Sequence, residues 1–367
     1  MDTLTPQLVI FISYQEYIFI FVFATKPTFC RTEELIKQQL EKDMKIIIQN
    51  WLRIANVELG WIDDFDKIVV KYARHFQLLR ILEGHEDEIT NVKFSTDGRM
   101  LVSTSADQTI RIWDVVSGKQ IQVFVGHLEW IFAAEFSPDE HTIASCSVDT
   151  TIRLWNVKSG EQMGQFKTDA DAASILYVNF SPDGQTLVSG SADRTIRFWN
   201  VNSKEEIQRL GGHLGGIRCV QFSLDGKMIV SASEDQTIGI WDVKTYKKLK
   251  ELKGHSDIVR RANFSPNGQF VVSGSWDKTV RIWNVATGTE LQVIENEDDV
   301  NDVKYFPDGQ TIVSCSDDAI VYLWDAKSGQ KIQELKGHSK RILGVDISPN
   351  GSTIVSGSGD CTIRIWG

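Results

Sequence analysis

Apolar and polar positions alternate in short runs over most of the chain. Residues 220–243, VQFSLDGKMIVSASEDQTIGIWDV, show the unit. Val220 and Phe222 alternate with polar residues, as a half-buried strand requires. Asp225-Gly226 is a hairpin turn signal. Met228 to Ser233 reads as a second strand, Asp235-Gln236-Thr237 as another tight turn, and Ile238, Ile240 and Trp241 as part of a third strand. Lys244-Thr245-Tyr246 makes a looser loop, and Leu249 and Leu252 mark a fourth strand. Four such strands form one twisted antiparallel sheet. Alone it covers neither apolar face; stacked radially, each sheet buries both faces against two neighbours.

The first fifth of the chain reads differently. In residues 33–59, Ile36, Leu40, Met44, Ile47, Trp51 and Ile54 recur at three- and four-residue steps, which predicts a helix. Gly60 is a plausible stop, and a second short helix runs from Asp63 or Asp64 to Arg74. Together, residues 33–75 read as a helical extension. It is either a cap on the ring or a docking helix for another protein. Residues 1–32 contain an apolar run, QLVIFISYQEYIFIFVFA at 7–24, interrupted by Gln15 and Glu16. As a secretory signal it lacks a basic start and a good cleavage site. As a membrane span it is short, and Lys26 and Arg31 after it would leave the remainder cytosolic. A buried strand is the competing reading.

Tryptophan exposes an internal repeat. Trp113, Trp155, Trp199, Trp241, Trp283, Trp324 and Trp366 are 42, 44, 42, 42, 41 and 42 residues apart. Six residues before each stands an Asp: Asp107, Asp149, Asp193, Asp235, Asp277, Asp318 and Asp360. Ten before each stands a Ser: Ser103, Ser145, Ser189, Ser231, Ser273, Ser314 and Ser356. Twenty-eight before it, in five of seven copies, stands the His of a Gly-His pair: His85, His127, His213, His255 and His338. Four residue types locked in phase over this many periods define a repeat architecture.

Gly-His, then S-x-D/N-G, then L/I-V-S-x-S-x-D-x-T-I-R-I-W-D/N closely resembles the WD40 repeat. The resemblance covers roughly residues 77–367. It implies an all-β fold, a seven-bladed WD40 β-propeller over residues 76–367. It also implies that each repeat supplies the outer strand of one blade and the three inner strands of the next. The last blade then needs its outer strand from the segment before Gly84-His85, where Phe76 to Leu82 has the right apolar character. The family further implies a buried network running from the Trp indole through Ser and His to Asp. Asp171 and Asn296 stand where repeats three and six should carry His, so those two blades are expected to be less rigid.

That network displaces a catalytic reading of the same residues. A hydrolase needs one exposed Ser-His-Asp set and an oxyanion hole, whereas here the set recurs five times, always with a Trp. No catalytic residue is assigned. Five of the seven histidines are spent this way, and His75 and His141 neighbour no metal-ligand cluster, so neither a metal nor a cofactor is expected. Cys146 and Cys315 occupy a slot nine residues before Trp where sister repeats carry Gly190, Gly274 and Ala232, and read as small core residues. The five cysteines form no CxxC pair, which fits a reducing compartment in the cytoplasm or nucleus. A net charge of −10 argues against direct nucleic-acid contact.

Function is then expected in side chains that the frame displays. In the WD40 family, partners commonly bind the narrow top face. By position, its contacts lie three and five residues after the His slot and one before the network Asp. The candidates are Trp130, Phe132 and Val148 on repeat two, Arg218 on repeat four, Ile258, Arg260 and Trp276 on repeat five, and Arg341 on repeat seven. Trp130 and Phe132 would form an exposed aromatic knob. Trp and Arg are enriched in interface hot spots. Asp299, Asp317 and Glu88 form a facing acidic group. The leading expectation is a non-enzymatic scaffold, a monomeric ring within a larger protein complex. The alternatives are a ubiquitin-ligase substrate receptor or a subunit of an RNA-processing or chromatin complex. The first lacks support: there is no Leu-Pro F-box opening, and Trp241-Asp242-Val243 is followed by Lys244 and not Arg.

Overall fold

The computed structural model describes residues 75–167 and 173–367. The readings made for residues 7–24, 33–59 and 63–74, and for Asp171, lie outside the described residues. Seven four-stranded antiparallel sheets, the blades, make up the described chain. Blade 1 shows how the sequence builds one. Its strands are Ile89–Phe94, Met100–Ser105, Thr109–Asp114 and Gln120–Val125. The first turn is set by Asp97, whose Oδ1 accepts from Ser95 Oγ at 2.7 Å and from the Arg99 N–H at 2.8 Å. Gly98 follows at φ 72°, a left-handed conformation that favours glycine. In the second turn Gln108 adopts φ 68°, and the equivalent residue of every blade does the same, from Thr150 to Cys361. Asp107 makes this tolerable, because its Oδ1 accepts from both Thr109 N at 2.8 Å and Thr109 Oγ1 at 2.7 Å.

The second strands sit deepest; Leu101 to Ser105 are all buried. On the third strands the repeat tryptophans are buried too, from 1% exposed at Trp155 and Trp283 to 5% at Trp324. An aromatic ring removes about 200 Å² from water, worth roughly 5 kcal/mol at about 25 cal/mol per Å². One continuous apolar cluster runs from Ala133 to Trp283 across blades 2 to 5. Consecutive inner strands touch all the way round, including Ile89–Phe94 against Ile342–Ile347, so the ring is closed.

Closure uses both ends of the ring. Leu78–Glu83 pairs antiparallel with Thr362–Trp366 and becomes the outer strand of blade 7. Beyond it, Gln77 and Gly367 exchange two backbone hydrogen bonds of 3.0 Å. Phe76 is 5% exposed beside Phe306, and its backbone N–H and C=O bond the Gln333 amide of blade 6 at 3.1 and 2.7 Å. Each outer strand carries one β-bulge, opposite the repeat Trp. The bulged residue is always large and apolar: Leu79, Ile121, Met163, Ile207, Leu249, Leu291 and Ile332. A bulge interrupts the ladder on the free edge and discourages strand addition there.

The axis of the ring is filled. Lys93, Glu135, Tyr177, Arg261, Asp302, Lys304 and Asp346 all come from inner strands. Tyr177 of blade 3 is 1% exposed. Its ring lies 4.7 Å from the Arg261 guanidinium of blade 5 and 5.9 Å from the Lys93 ammonium of blade 1. Cations from two non-adjacent blades can reach one ring only if it projects into the central channel. Three carboxylates balance three cations here. Asp346 pairs with Lys304 and accepts from the Phe94 N–H at 2.8 Å, Glu135 accepts from Asn179 Nδ2 at 2.6 Å, and Asp302 Oδ1 lies 3.6 Å from Arg261 Nε.

Removing residues 1–83 takes the outer strand from blade 7 and bares the edge of Thr362–Trp366. The truncated chain is expected to melt at a lower temperature and to self-associate in light scattering. A monomer with an unchanged melting curve would contradict this closure.

Candidate functional site

Beneath the top face, five blades carry the same hydrogen-bond chain. In blade 1, Trp113 Nε1 donates to Ser103 Oγ at 2.8 Å, Ser103 Oγ meets His85 Nε2 at 2.7 Å, and His85 Nδ1 meets Asp107 Oδ2 at 2.8 Å. In blades 2 (Trp155, Ser145, His127, Asp149), 4 (Trp241, Ser231, His213, Asp235), 5 (Trp283, Ser273, His255, Asp277) and 7 (Trp366, Ser356, His338, Asp360) the same links measure 2.7–3.0 Å. The indole can only donate and the carboxylate can only accept, so donation runs one way. A neutral His protonated on Nδ1 satisfies every partner. Asp Oδ2 also accepts the backbone N–H after the His, as at Glu86 (3.1 Å). One carboxylate therefore ties the loop before the inner strand to the turn after the second.

Charge follows from these partners. Burial opposes ionisation of Asp107, but the bonds from His85, Thr109 and the Glu86 N–H outweigh it and hold the carboxyl well below the usual range. Asp149, Asp235 and Asp277 behave alike, and Asp360 is pushed down to about 2. For His127 and His338 burial dominates over the carboxylate partner, and their pKa values are lowered. The five network histidine side chains are 0–1% exposed, with both ring nitrogens hydrogen-bonded inside the chain. Cys146 and Cys315 are fully buried, and burial pushes both thiols up, away from reactivity. Among the described residues no group of His, Cys, Asp and Glu converges to hold a metal ion.

Above the networks, one backbone bond per blade builds the display surface. The N–H one residue before the network Asp donates to the C=O three residues after the His slot: Ala106 to Glu88, Val148 to Trp130, Ala192 to Ser174, Glu234 to Gly216, Trp276 to Ile258, Asp317 to Asp299 and Gly359 to Arg341, all 2.9–3.1 Å. The frame is thus identical in all seven blades while the side chains differ. Trp130 is 47% exposed. Arg218 pairs with Glu234 at 2.5 Å, and Arg341 pairs with Glu88 at 2.7 Å. Arg260 lies over the Trp276 ring at 5.4 Å. Val148 and Ile258 are half-buried.

With this geometry in place, comparison with known proteins is decisive at the level of family. The model of the WD domain, G-beta repeat family matches residues 76–114, 118–156, 160–200, 204–242, 246–284, 288–325 and 329–367. The chain belongs to the WD40 family. Similar proteins include vegetative incompatibility protein HET-E-1 of Podospora anserina, 39% identical over 90 residues, 24% of this chain and 5% of that protein. The U3 small nucleolar RNA-associated protein 21 of Saccharomyces cerevisiae is 34% identical over 80 residues, 22% of this chain and 8% of that protein. Protein HIR1 of Mycosarcoma maydis is 33% identical over 66 residues, 16% of this chain and 6% of that protein. Each match spans well under two thirds of the relative, and the names describe different tasks.

Several details depart from what the repeat pattern implies. Phe132 is half-buried and packs on the core, so the aromatic knob of blade 2 is Trp130 without it. Its exposed neighbour is Leu128, at 72%, and Leu214 of blade 4 is 83% exposed. Both follow the WD40 His directly, a position outside the three that the family rule picks out on each repeat. Trp276 is half-buried, and its Nε1 donates to Asn301 Oδ1 of the next blade at 3.3 Å. Blades 3 and 6 keep the Trp–Ser bond, Trp199 to Ser189 at 2.9 Å and Trp324 to Ser314 at 2.8 Å. Their carboxylates have found other donors: Arg197 Nη2 reaches Asp193 at 2.5 Å, and the Tyr322 hydroxyl donates to Asp318 at 2.6 Å. In five WD40 repeats the residue four after the Asp is Arg, so Tyr322 was visible as a departure in the sequence.

Two outcomes follow for stability. Asp235→Ala leaves buried His213 without its acceptor and is expected to cost about 1–3 kcal/mol in urea unfolding. Asp193→Ala is expected to cost a comparable amount and not less, because Arg197, only 3% exposed, then relies on Glu206 at 3.5 Å. An unchanged midpoint for Asp193→Ala would contradict the substitute donor. For pH, the five depressed carboxyls mean that the folded chain binds fewer protons than the unfolded one below about pH 4. Their stabilisation is complete above that value and is lost as pH falls toward the folded pKa. The depressed His127 and His338 add a loss that starts below about pH 6.5. The urea midpoint should therefore decline from about pH 6.5 and fall more steeply below about pH 4; a midpoint rising over that span would rule out neutral histidines.

Proposed function

We propose that this propeller is a protein-interaction scaffold that binds a partner protein or peptide on its top face, with Trp130, Trp276, Arg218 and Arg260 as principal contacts. The observation that carries the reading is the display frame. Seven identical backbone-bonded loop pairs hold non-repeating side chains, and the frame itself demands no indole at either tryptophan position. The His, Ser and Asp residues that could do chemistry are committed to the networks below. Exposed Leu128, two residues before Trp130 on the same blade, adds apolar area beside it. A second reading places the chain within a chromatin or RNA-processing assembly. Its support is the names of relatives: the U3 small nucleolar RNA-associated protein 21, and a component of chromatin assembly factor 1 of Mus musculus. Both readings use the same face.

Trp130→Ala is expected to change stability by about 1 kcal/mol or less, since the indole is half in solvent. It should weaken partner capture by about 2 kcal/mol or more, as hot-spot aromatics do. Trp276→Ala should lose capture as well, with a larger stability change because Asn301 and Arg260 lose their contact. Trp113→Ala should show the opposite balance, with about 3–5 kcal/mol of stability lost from an emptied core site. Melting curves and co-purification of partners from cell extract, run on all three variants, decide the matter. A Trp130→Ala chain that unfolds as readily as Trp113→Ala, or that keeps every partner, would overturn the assignment.

A further inference from the structure

Four arginines stand at or just below the top-face positions, and three of them face a carboxylate. Arg218 has Glu234 at 2.5 Å, Arg341 has Glu88 at 2.7 Å, and Arg261, turned into the channel, has Asp302 at 3.6 Å. Arg260 has none. Among the described residues its side chain makes no ion pair and no hydrogen bond, and its Nε is buried without a partner. The neighbouring Arg218 also buries an unpartnered Nε. A guanidinium taken from water without acceptors is costly unless something compensates.

The compensation present is the Trp276 ring, 5.4 Å away. That ring is held in place through Nε1 and Asn301, and Asn301 is itself fixed, donating to Asp317 Oδ1 at 2.6 Å and to the Ile342 C=O at 3.0 Å. A cation–π contact uses none of the guanidinium N–H donors, so they remain without a protein acceptor. Burial, together with the charges of Arg261 and Arg218, pushes the Arg260 pKa down to about 9, against the pull of Asp302 and Asp317. The charges of Arg261 and Arg218 favour an added negative charge at this spot, while the blade 6 carboxylates, which add to burial in raising the Asp299 pKa, oppose it. A guanidinium beside a fixed indole, with no protein acceptor for its N–H donors, suits the bidentate geometry of a carboxylate or a phosphate.

We propose that Arg260, in cation–π contact with Trp276 and flanked by Arg218, receives an oxyanion, a carboxylate or a phosphate, carried by a peptide bound on the top face. The proposal rests on the top-face reading and adds the chemistry of the group recognised. The test uses the full chain and immobilised peptide pools of random sequence with glutamate, phosphoserine or glutamine fixed at the centre. The glutamate or the phosphoserine pool is expected to retain about tenfold more protein than the glutamine pool, a difference of about 1.4 kcal/mol. Whichever of the two is retained names the source of the oxyanion. Arg260→Gln should erase the preference, and Arg99→Gln, an equal charge change on a remote, exposed turn, should keep it. Sodium phosphate should release the bound chain at an ionic strength where sodium chloride does not, which tests the site even if Arg260→Gln fails to fold. Equal retention on the glutamine pool, a preference that survives Arg260→Gln, or identical release by the two salts overturns the oxyanion site and leaves the top-face reading standing. Retention on none of the pools overturns both.

Discussion

A four-stranded sheet with two apolar faces cannot be stable by itself, and everything else in this ring answers to that constraint. Each repeat Trp covers one of those faces against the preceding blade, as Trp155 does on Phe124 and Trp199 on Phe166. Its indole N–H goes into the core with it and must be satisfied there. Ser accepts from the indole, His accepts from Ser, and Asp accepts from His, so one packing choice creates three further requirements. The last of them lands on the loops above the sheet. There the carboxylate joins two segments that are neighbours in space and 22 residues apart in the chain. Burial in the core thus fixes the geometry of the surface on which recognition is proposed.

The residues that meet this constraint were legible because all seven blades keep the Trp–Ser bond and five meet the rest of it in the same way. Period, strand order and the His, Ser, Asp and Trp positions repeat, and so does the outer strand borrowed from before Gly84. The side chains that distinguish one blade from another were not legible to the same degree. Trp276 was placed among the top-face contacts by position alone, and its hydrogen-bond acceptor, Asn301, belongs to the next repeat. Phe132 looked exposed because period alone does not say how far a top-face side chain leans toward the core. Arg197 reads as one of five equivalent arginines, yet with no His in its repeat it closes to 2.5 Å on Asp193, where Arg111, Arg153 and Arg281 stay 3.6–3.9 Å from their aspartates.

The filled channel shows the same limit. Lys93, Tyr177 and Arg261 lie on three different repeats, and nothing in their local sequence announces that they meet on the axis. Yet they decide what the top face can offer. The site over Tyr177 is already taken by the protein's own Arg261. The recognition proposed for the top face therefore rests on Arg260 and Trp276. Buried ion groups of this kind contribute little net stability but penalise a misaligned ring, since any slip between blades strands a charge.

The borrowed outer strand also sets an order of events during synthesis. Blades 1 to 6 are each built from consecutive strands and can form soon after their residues leave the ribosome. Blade 7 cannot. Leu78–Glu83 is among the first segments of the ring to emerge, and its mate Thr362–Trp366 is the last. Until then the early strand has no ladder, and the inner faces of blades 1 and 7 have no cover. Contacts this distant in sequence form slowly, and the exposed edge is open to capture in the meantime. The nascent ring is therefore most in need of a chaperone just before Thr362–Trp366 emerges, when nearly all of the ring's residues are already folded.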